Sequence, residues 1–409
     1  MKVTQYAASC WAPPVRTVLL AGIFSVQSLA QEEIPSGQLP EPTDSRKYHD
    51  EAPPSPRIEG KAPGKAVIVL AAQAVDEKDL AAVKAREARA EAVATDVRLQ
   101  IYLDEKRFGP GFIDGKPGKF TTKAVHSYNR SVGRRPDDWE ALVKEADLML
   151  GQTYAFAIVP ESATEWVNPD LPLEYAEQAV EERMSYRSYL EFMAERYHTS
   201  ESFLVALNGV AITSGIAPRK GLKVPNVSPF LIEGLKEGRS HGADVGLSSR
   251  TVVIDTIGRN LFIYEKGATP PAPGAAVVVS EENENYEPQK LVAMFPITPG
   301  KLEQTHHGEW AIANCLELPS WYYDKQLLDT GVRSKDRSKV LQIPPGPNLP
   351  VGILWSGLTK SGIGIHGTAS PRTIGRSLSA GCIRLANCCL LYTSDASDDL
   401  LCVDLGGRR

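Results

Sequence analysis

A multidomain α+β chain is predicted: small helical and mixed modules first, and a mostly-β, sandwich- or barrel-like domain last. Three observations predict it. Alanine-rich, charge-paired helical sequence begins near Asp76, and short mixed elements follow from Gly151. From Ser249 the pattern turns to short β-rich runs separated by Gly and Pro clusters, with no helical stretch between them. The 409 residues suffice for several cores. A net charge of -5, with basic residues scattered among acidic ones, argues against a nucleic-acid partner.

The first 30 residues read as a signal peptide. Lys2 and Arg16 precede the apolar run Val18–Val26, and the small residues Ser28 and Ala30 fit a cleavage site before Gln31. That run is too short to span a bilayer comfortably, and no other segment approaches the roughly 18 apolar residues required. An exported chain with no stable membrane insertion after cleavage is expected; the alternative for the same run is an uncleaved anchor. Residues 31–65 are rich in Pro, Glu, Ser and Gly and read as a flexible linker, because they cannot bury enough apolar surface to offset their ordering entropy.

Residues 66–150 read as a helical domain. Val97, Ile101, Tyr102 and Phe108 suit one helix face, Gly109 to Gly118 force a loop, and Thr121 or Thr122 is expected to cap a second helix through Val125 and Tyr128. In residues 151–245, Tyr154–Val159 reads as a strand and Leu173–Tyr197 as one helix, with His198 at its end. Beyond Ser249, Thr251–Asp255 and Asn260–Glu265 read as a hairpin, and Ala275–Val279 and Leu291–Phe295 as further strands.

Six cysteines, at 10, 315, 382, 388, 389 and 402, match no paired zinc spacing. A disulfide from Cys315 to Cys382 or Cys388 stays open. His306 and His307 are adjacent, but strand neighbours point to opposite faces and no third ligand lies at a matching spacing, so no metal is expected.

The chemistry concentrates in residues 362–387. His366 lies in an apolar, glycine-rich run, and Cys382 follows sixteen positions later after Ser379-Ala380-Gly381. A thiol attacks as thiolate, and an imidazole is a common proton acceptor for it. Gly381 permits close approach of substrate, and the N–H groups of Gly381 and Cys382 are candidate oxyanion donors. The competing reading is a packed, inert cysteine beside a packed histidine.

H-G-T, P-x-x-I-G and S-x-G-C-I-R-L-x-N, read from His366 to Asn387, resemble the signature of the YkuD-type L,D-transpeptidase catalytic domain. V-V-I-D-T-I-G-R-N-L-F-I-Y-E, F-P-I-T-P-G-K, T-H-H-G-E-W-A-I and G-P-N-L-P-V-G-I-L-W precede them in family order, so the catalytic domain is expected over 249–388. The resemblance implies Cys382 as nucleophile, His366 as general base, and the Gly367 carbonyl as orienter of the imidazole. It places Ser379, Gly381 and Arg384 around substrate, Arg384 facing a carboxylate or locking the loop. Ala380 stands where the family often carries His, Lys or Arg. The implied reaction joins the α-carbonyl of a diamino-acid residue at position three of one peptidoglycan stem to a side-chain amine of another. A terminal D-amino acid leaves, and no metal or organic cofactor takes part. An L,D-carboxypeptidase with the same site and a non-catalytic wall-binding protein are the alternatives.

Two upstream resemblances agree with periplasm or cell wall and with glycan strands as a further partner. The helix, Asp-Gly loop, capped-helix order of 66–150 is similar to small peptidoglycan-binding domains. A-E-R-Y-H-T-S-E-S-F-L-V-A-L-N with L-K-V-P-N, within 151–245, resembles the second half of a LysM module, without a recognisable opening strand directly upstream. C-C-L-L-Y-T-S-D-A-S-D-D-L-L-C-V-D-L-G-G-R-R, ending at Arg409, resembles a translated sequencing adapter. Residues 389–409 are therefore expected to be non-native and to pack poorly.

Overall fold

A computed structural model of the chain describes residues 2–6, 77–241, 250–266, 289–301, 307–330, 332–376, 379 and 381–391. Most of the signal segment and the whole linker, the 275–279 strand, His306, Ala380 and the tail from 392 fall outside these residues. Contacts divide the chain into residues 1–9 with 81–409, and residues 10–80.

The first unit is built on one large sheet. Its strands are β1 (Lys2–Tyr6), β4 (Ser240–His241), β5 (Thr251–Asp255), β6 (Asn260–Lys266), β7 (Gln289–Pro296), β8 (Glu309–Glu317), β11 (Leu354–Leu358), β12 (Gly364–His366) and β13 (Ile383–Arg384). The order is β13-β12-β11-β8-β1-β5-β6-β7, with β4 also on β8. Strand β1 lies parallel to β5 and antiparallel to β8. Residues 2–6 thus sit in the sheet, where the sequence reading has them leave with the signal peptide. Two facing strand edges accept any extended segment through main-chain bonds alone, so the pairing needs no sequence signal.

Alternation along the strands gives the sheet two apolar faces. Val252, Ile254, Leu261, Ile365, Ile383 and Leu385 lie in one core. Their neighbours Val253, Tyr264, Leu291 and Met294 lie in another, against helices α1 (Glu77–Glu105), α2 (Lys119–Ser131) and α3 (Trp139–Met149). These helices supply Leu99, Leu103, Ala124, Val125, Leu142 and Ala146. Helix α2 starts one residue after Gly118, its N-cap, and not at the expected threonines. Thr121 sits on the third position, where its hydroxyl accepts from the Gly118 N–H at 3.4 Å and donates to the Pro110 carbonyl, so it joins the cap from inside the helix.

Strands β2 (Tyr154–Ile158) and β3 (Gly221–Pro225) pair antiparallel, and α5 (Tyr189–Arg196) and α6 (Glu201–Asn208) are the longest of the helices between them in the chain. Residues 159–188 separate β2 from α5 in the chain. The single helix expected over 173–197 is broken into α4 (Tyr175–Gln178) and α5. Between them, the Met184 N–H donates to the Pro345 carbonyl and the Tyr186 N–H to the Trp166 carbonyl. Tertiary bonds thus take the donors that an i→i−4 ladder would use, and Ser188 caps the new start through the Glu191 N–H.

After β13, α9 (Asn387–Leu391) follows, α7 (Val210–Thr213) and α8 (Lys325–Thr330) having come earlier in the chain. Leu390 is fully buried in the sheet core, so the expected poor packing does not hold at that residue; the remainder of the expected tail, from 392, lies outside the described residues. An apolar side chain one turn beyond Asn387 reaches the same sheet face as Ile383 and Leu385, whatever its origin.

Candidate active site

His366 ends β12, and β12 pairs parallel with β13, so that Ile365 faces Ile383 and His366 faces Arg384. Both isoleucines belong to the sheet core, which turns His366 and Arg384 to the other face. Cys382, two residues before Arg384, continues that alternation beside Gly364. Cys382 directly precedes β13, the strand paired with β12, which ends in His366.

The imidazole is held from several sides. Its Nδ1 lies 2.7 Å from the Gly367 carbonyl, which assigns the proton to Nδ1 and leaves Nε2 with the lone pair. Trp355, its cross-strand partner on β11, stacks on it with ring centroids 5.4 Å apart and planes 20° apart. The same indole covers Gly364, where any Cβ would collide with it. Burial pushes His366 down to about 4, although hydrogen bonding to the backbone of Gly367 and Val351 acts the other way.

The cysteine loop is set by Ser379, which is buried. Its hydroxyl donates to the Cys382 carbonyl and accepts from the Gly381 N–H at 3.2 Å. Its backbone pairs with the Pro299–Lys301 stretch through Ser379 N–H to Pro299 O, 2.8 Å, and Lys301 N–H to Ser379 O, 2.9 Å. Gly381 has φ 120°, a conformation that favours glycine. Because its N–H is spent on Ser379, the oxyanion role expected of Gly381 is not available at rest, and the Cys382 N–H is the remaining candidate.

Cys382 is a free, half-buried thiol 3.7 Å from the Gly362 carbonyl. Burial pushes its pKa up, against the Gly364 backbone and the Arg384 charge. Among the described residues no hydrogen bond joins it to His366. Cys382 and Cys388 are both free, so neither is bridged to Cys315. Arg384 buries an Nε that has no hydrogen-bond partner among the described residues.

One residue outside the predicted roles organises the whole site. Asn387 is buried, and its Oδ1 accepts from Thr368 N–H at 3.2 Å and Ile353 N–H at 3.4 Å. Its signal in the sequence is its register at the end of S-x-G-C-I-R-L-x-N. Trp355 carries no such signal, since an aromatic on a strand is usually core. Among the described residues, no group of three His, Cys, Asp or Glu side chains is placed to hold a metal ion, and no helix is long and apolar enough to cross a membrane. His307 is exposed.

Residues 274–394 match the family model described as the L,D-transpeptidase catalytic domain, YkuD. The YkuD protein of Bacillus licheniformis is 36% identical over 103 residues, 25% of this chain and 46% of its own length. That of Bacillus subtilis is 49% identical over 99 residues, 24% of this chain and 43% of its own. The Bacillus subtilis protein YqjB is 28% identical over 127 residues, 29% of this chain and 63% of its own. The chain thus spans about half the length of the first two relatives.

Proposed function

We propose that this chain, which carries an L,D-transpeptidase catalytic domain of the YkuD family over 274–394, cross-links peptidoglycan stem peptides through a thioester on Cys382. The observation that supports this reading is the Gly367-anchored imidazole at the end of β12, next to β13, which Cys382 directly precedes. Nε2 of His366 takes the thiol proton as Sγ attacks the α-carbonyl of the third residue of the donor stem. The Cys382 N–H stabilises the oxyanion, and the imidazolium returns its proton to the departing D-amino acid. The acceptor amine then attacks the thioester, His366 takes its proton, and the thiol is restored. Arg384 supplies the fixed positive charge beside Cys382 for a substrate carboxylate.

Burial supports the base assignment. An imidazole depressed to about 4 is neutral, and so able to accept a proton, throughout the neutral range. The remainder of the reading is export to the periplasm or cell wall, with the β2–β3 region acting as a LysM-like glycan contact and the α1–α3 region as a peptidoglycan-binding-like one. Incubation of the protein and Cys382→Ala with disaccharide-tetrapeptide, followed by mass analysis, tests it. Cross-linked dimer from the unaltered protein alone is the expected result. Tripeptide without dimer assigns a carboxypeptidase. Untouched substrate with retained sacculus binding assigns a wall-binding protein and overturns the enzyme reading.

A further inference from the structure

Strands β12 and β13 pair at two positions, Ile365 with Ile383 and His366 with Arg384. A parallel ladder that short fixes the histidine arm weakly against the cysteine arm. Residues 298–301 run beside both arms, and Thr298 is fully buried. On the cysteine arm the contacts are backbone. The Thr298 N–H donates to the Arg384 carbonyl at 2.9 Å, and the Arg384 N–H donates to the Thr298 carbonyl at 3.0 Å. Pro299 and Lys301 hold the backbone of Ser379, whose hydroxyl in turn takes the Gly381 N–H and donates to the Cys382 carbonyl.

On the histidine arm the contact is the side chain. The Thr298 hydroxyl accepts from the Gly375 N–H at 3.0 Å and donates to the Thr373 carbonyl at 3.2 Å. Residues 368–375 form a compact turn leading out of His366. The Thr368 hydroxyl accepts from the Ser370 N–H at 3.1 Å, and the Ser370 carbonyl accepts from the Thr373 N–H at 2.9 Å and its hydroxyl at 2.7 Å. The far side of this turn rests on other elements. A Cβ on Gly375 would collide with the Phe120 ring of α2, and the Arg259 guanidinium donates to the Gly375 carbonyl. We propose that Thr298 is a positioning residue for the reaction, its hydroxyl tying the turn after His366 to the segment that carries the Cys382 loop. The spacing of imidazole and thiol is then set at two places, the short ladder and this hydroxyl. The inference rests on the transpeptidase reading of the site.

The test is kcat and KM for the full chain, Thr298→Val and Thr298→Ser. Thr298→Val keeps the shape of the side chain but takes the acceptor from Gly375 and the donor from Thr373. It should lower kcat about tenfold with KM within about twofold, because misplacement acts on the chemical step. Thr298→Ser keeps the hydroxyl and should hold kcat within about twofold of the unaltered protein. Unaltered kcat in Thr298→Val, or an equal loss in both variants, overturns the proposal. If Thr298→Val loses its cooperative thermal transition, Thr298→Ser and hydrogen exchange of the Gly375 amide decide. A tenfold loss of kcat in Thr298→Ser, or a Gly375 amide that exchanges as freely as an unbonded one, then overturns the tie. If the unaltered protein forms no product, the transpeptidase reading fails separately. The ring 15N signals of His366 need no substrate and then decide. They should move in Thr298→Val and stay in Thr298→Ser, and signals unmoved in Thr298→Val overturn the positioning role.

Discussion

At His366 two backbone partners favour the protonated ring, and burial disfavours it by more. At Cys382 burial likewise outweighs the Gly364 backbone and the Arg384 charge. The resting site therefore holds a neutral thiol and a neutral imidazole, in place of the thiolate that a Cys–His pair suggests from sequence. Proton transfer has to accompany attack on bound substrate. Alkylation of Cys382 by iodoacetamide should accordingly be slow at pH 7 and keep rising beyond the usual thiol pKa; a rate plateau below pH 7 would refute this. His366 also ties stability to acid. Its pKa falls from an ordinary 6.5 to about 4 on folding. The linked stability is present above about pH 6.5 and lost as pH falls toward 4, about 3 kcal/mol in total. Urea unfolding at pH 7 and pH 4 should show that extra loss in the unaltered protein relative to His366→Gln, and parallel curves would contradict it.

The cysteine loop and the turn after β12 are short elements shaped by glycines and one hydroxyl. Ser379 joins both ends of the loop, and Gly381 takes a backbone angle that a side chain resists. Ser379→Ala removes a buried donor and acceptor together. A loss of about 1–2 kcal/mol in stability is expected by thermal unfolding, with a larger fall in kcat than in kcat-independent substrate binding. Unchanged turnover would show that the loop holds its shape without the hydroxyl. The structure sets His366 on β12 and Cys382 directly before β13, and Ser-x-Gly-Cys and His-Gly were legible in advance as local patterns that resemble the YkuD signature. The break between α4 and α5 was not, since it depends on Pro345 and Trp166, distant in sequence from the donors they satisfy.

Over the whole unit, α1–α3 share a core with β5, β6 and β7. Leu103, fully buried in that core, lies far from the cysteine in sequence. Leu103→Ala should cost about 2–5 kcal/mol. Because the core is shared, exposure of Cys382 to alkylation and loss of helical circular dichroism should move together to lower urea. Separate midpoints would mean that the helices unfold independently of the sheet. The sequence by itself determined the reacting groups, the glycine-dependent turns and the run of strands that presents them, because these follow from residue type and short spacing. Only the tertiary structure decided that His366 and Cys382 both rest neutral, that the Gly381 N–H is already spent, and that the Asn387 side chain takes the Ile353 and Thr368 N–H groups. Those outcomes depend on burial and on contacts between separate segments, which no local pattern records.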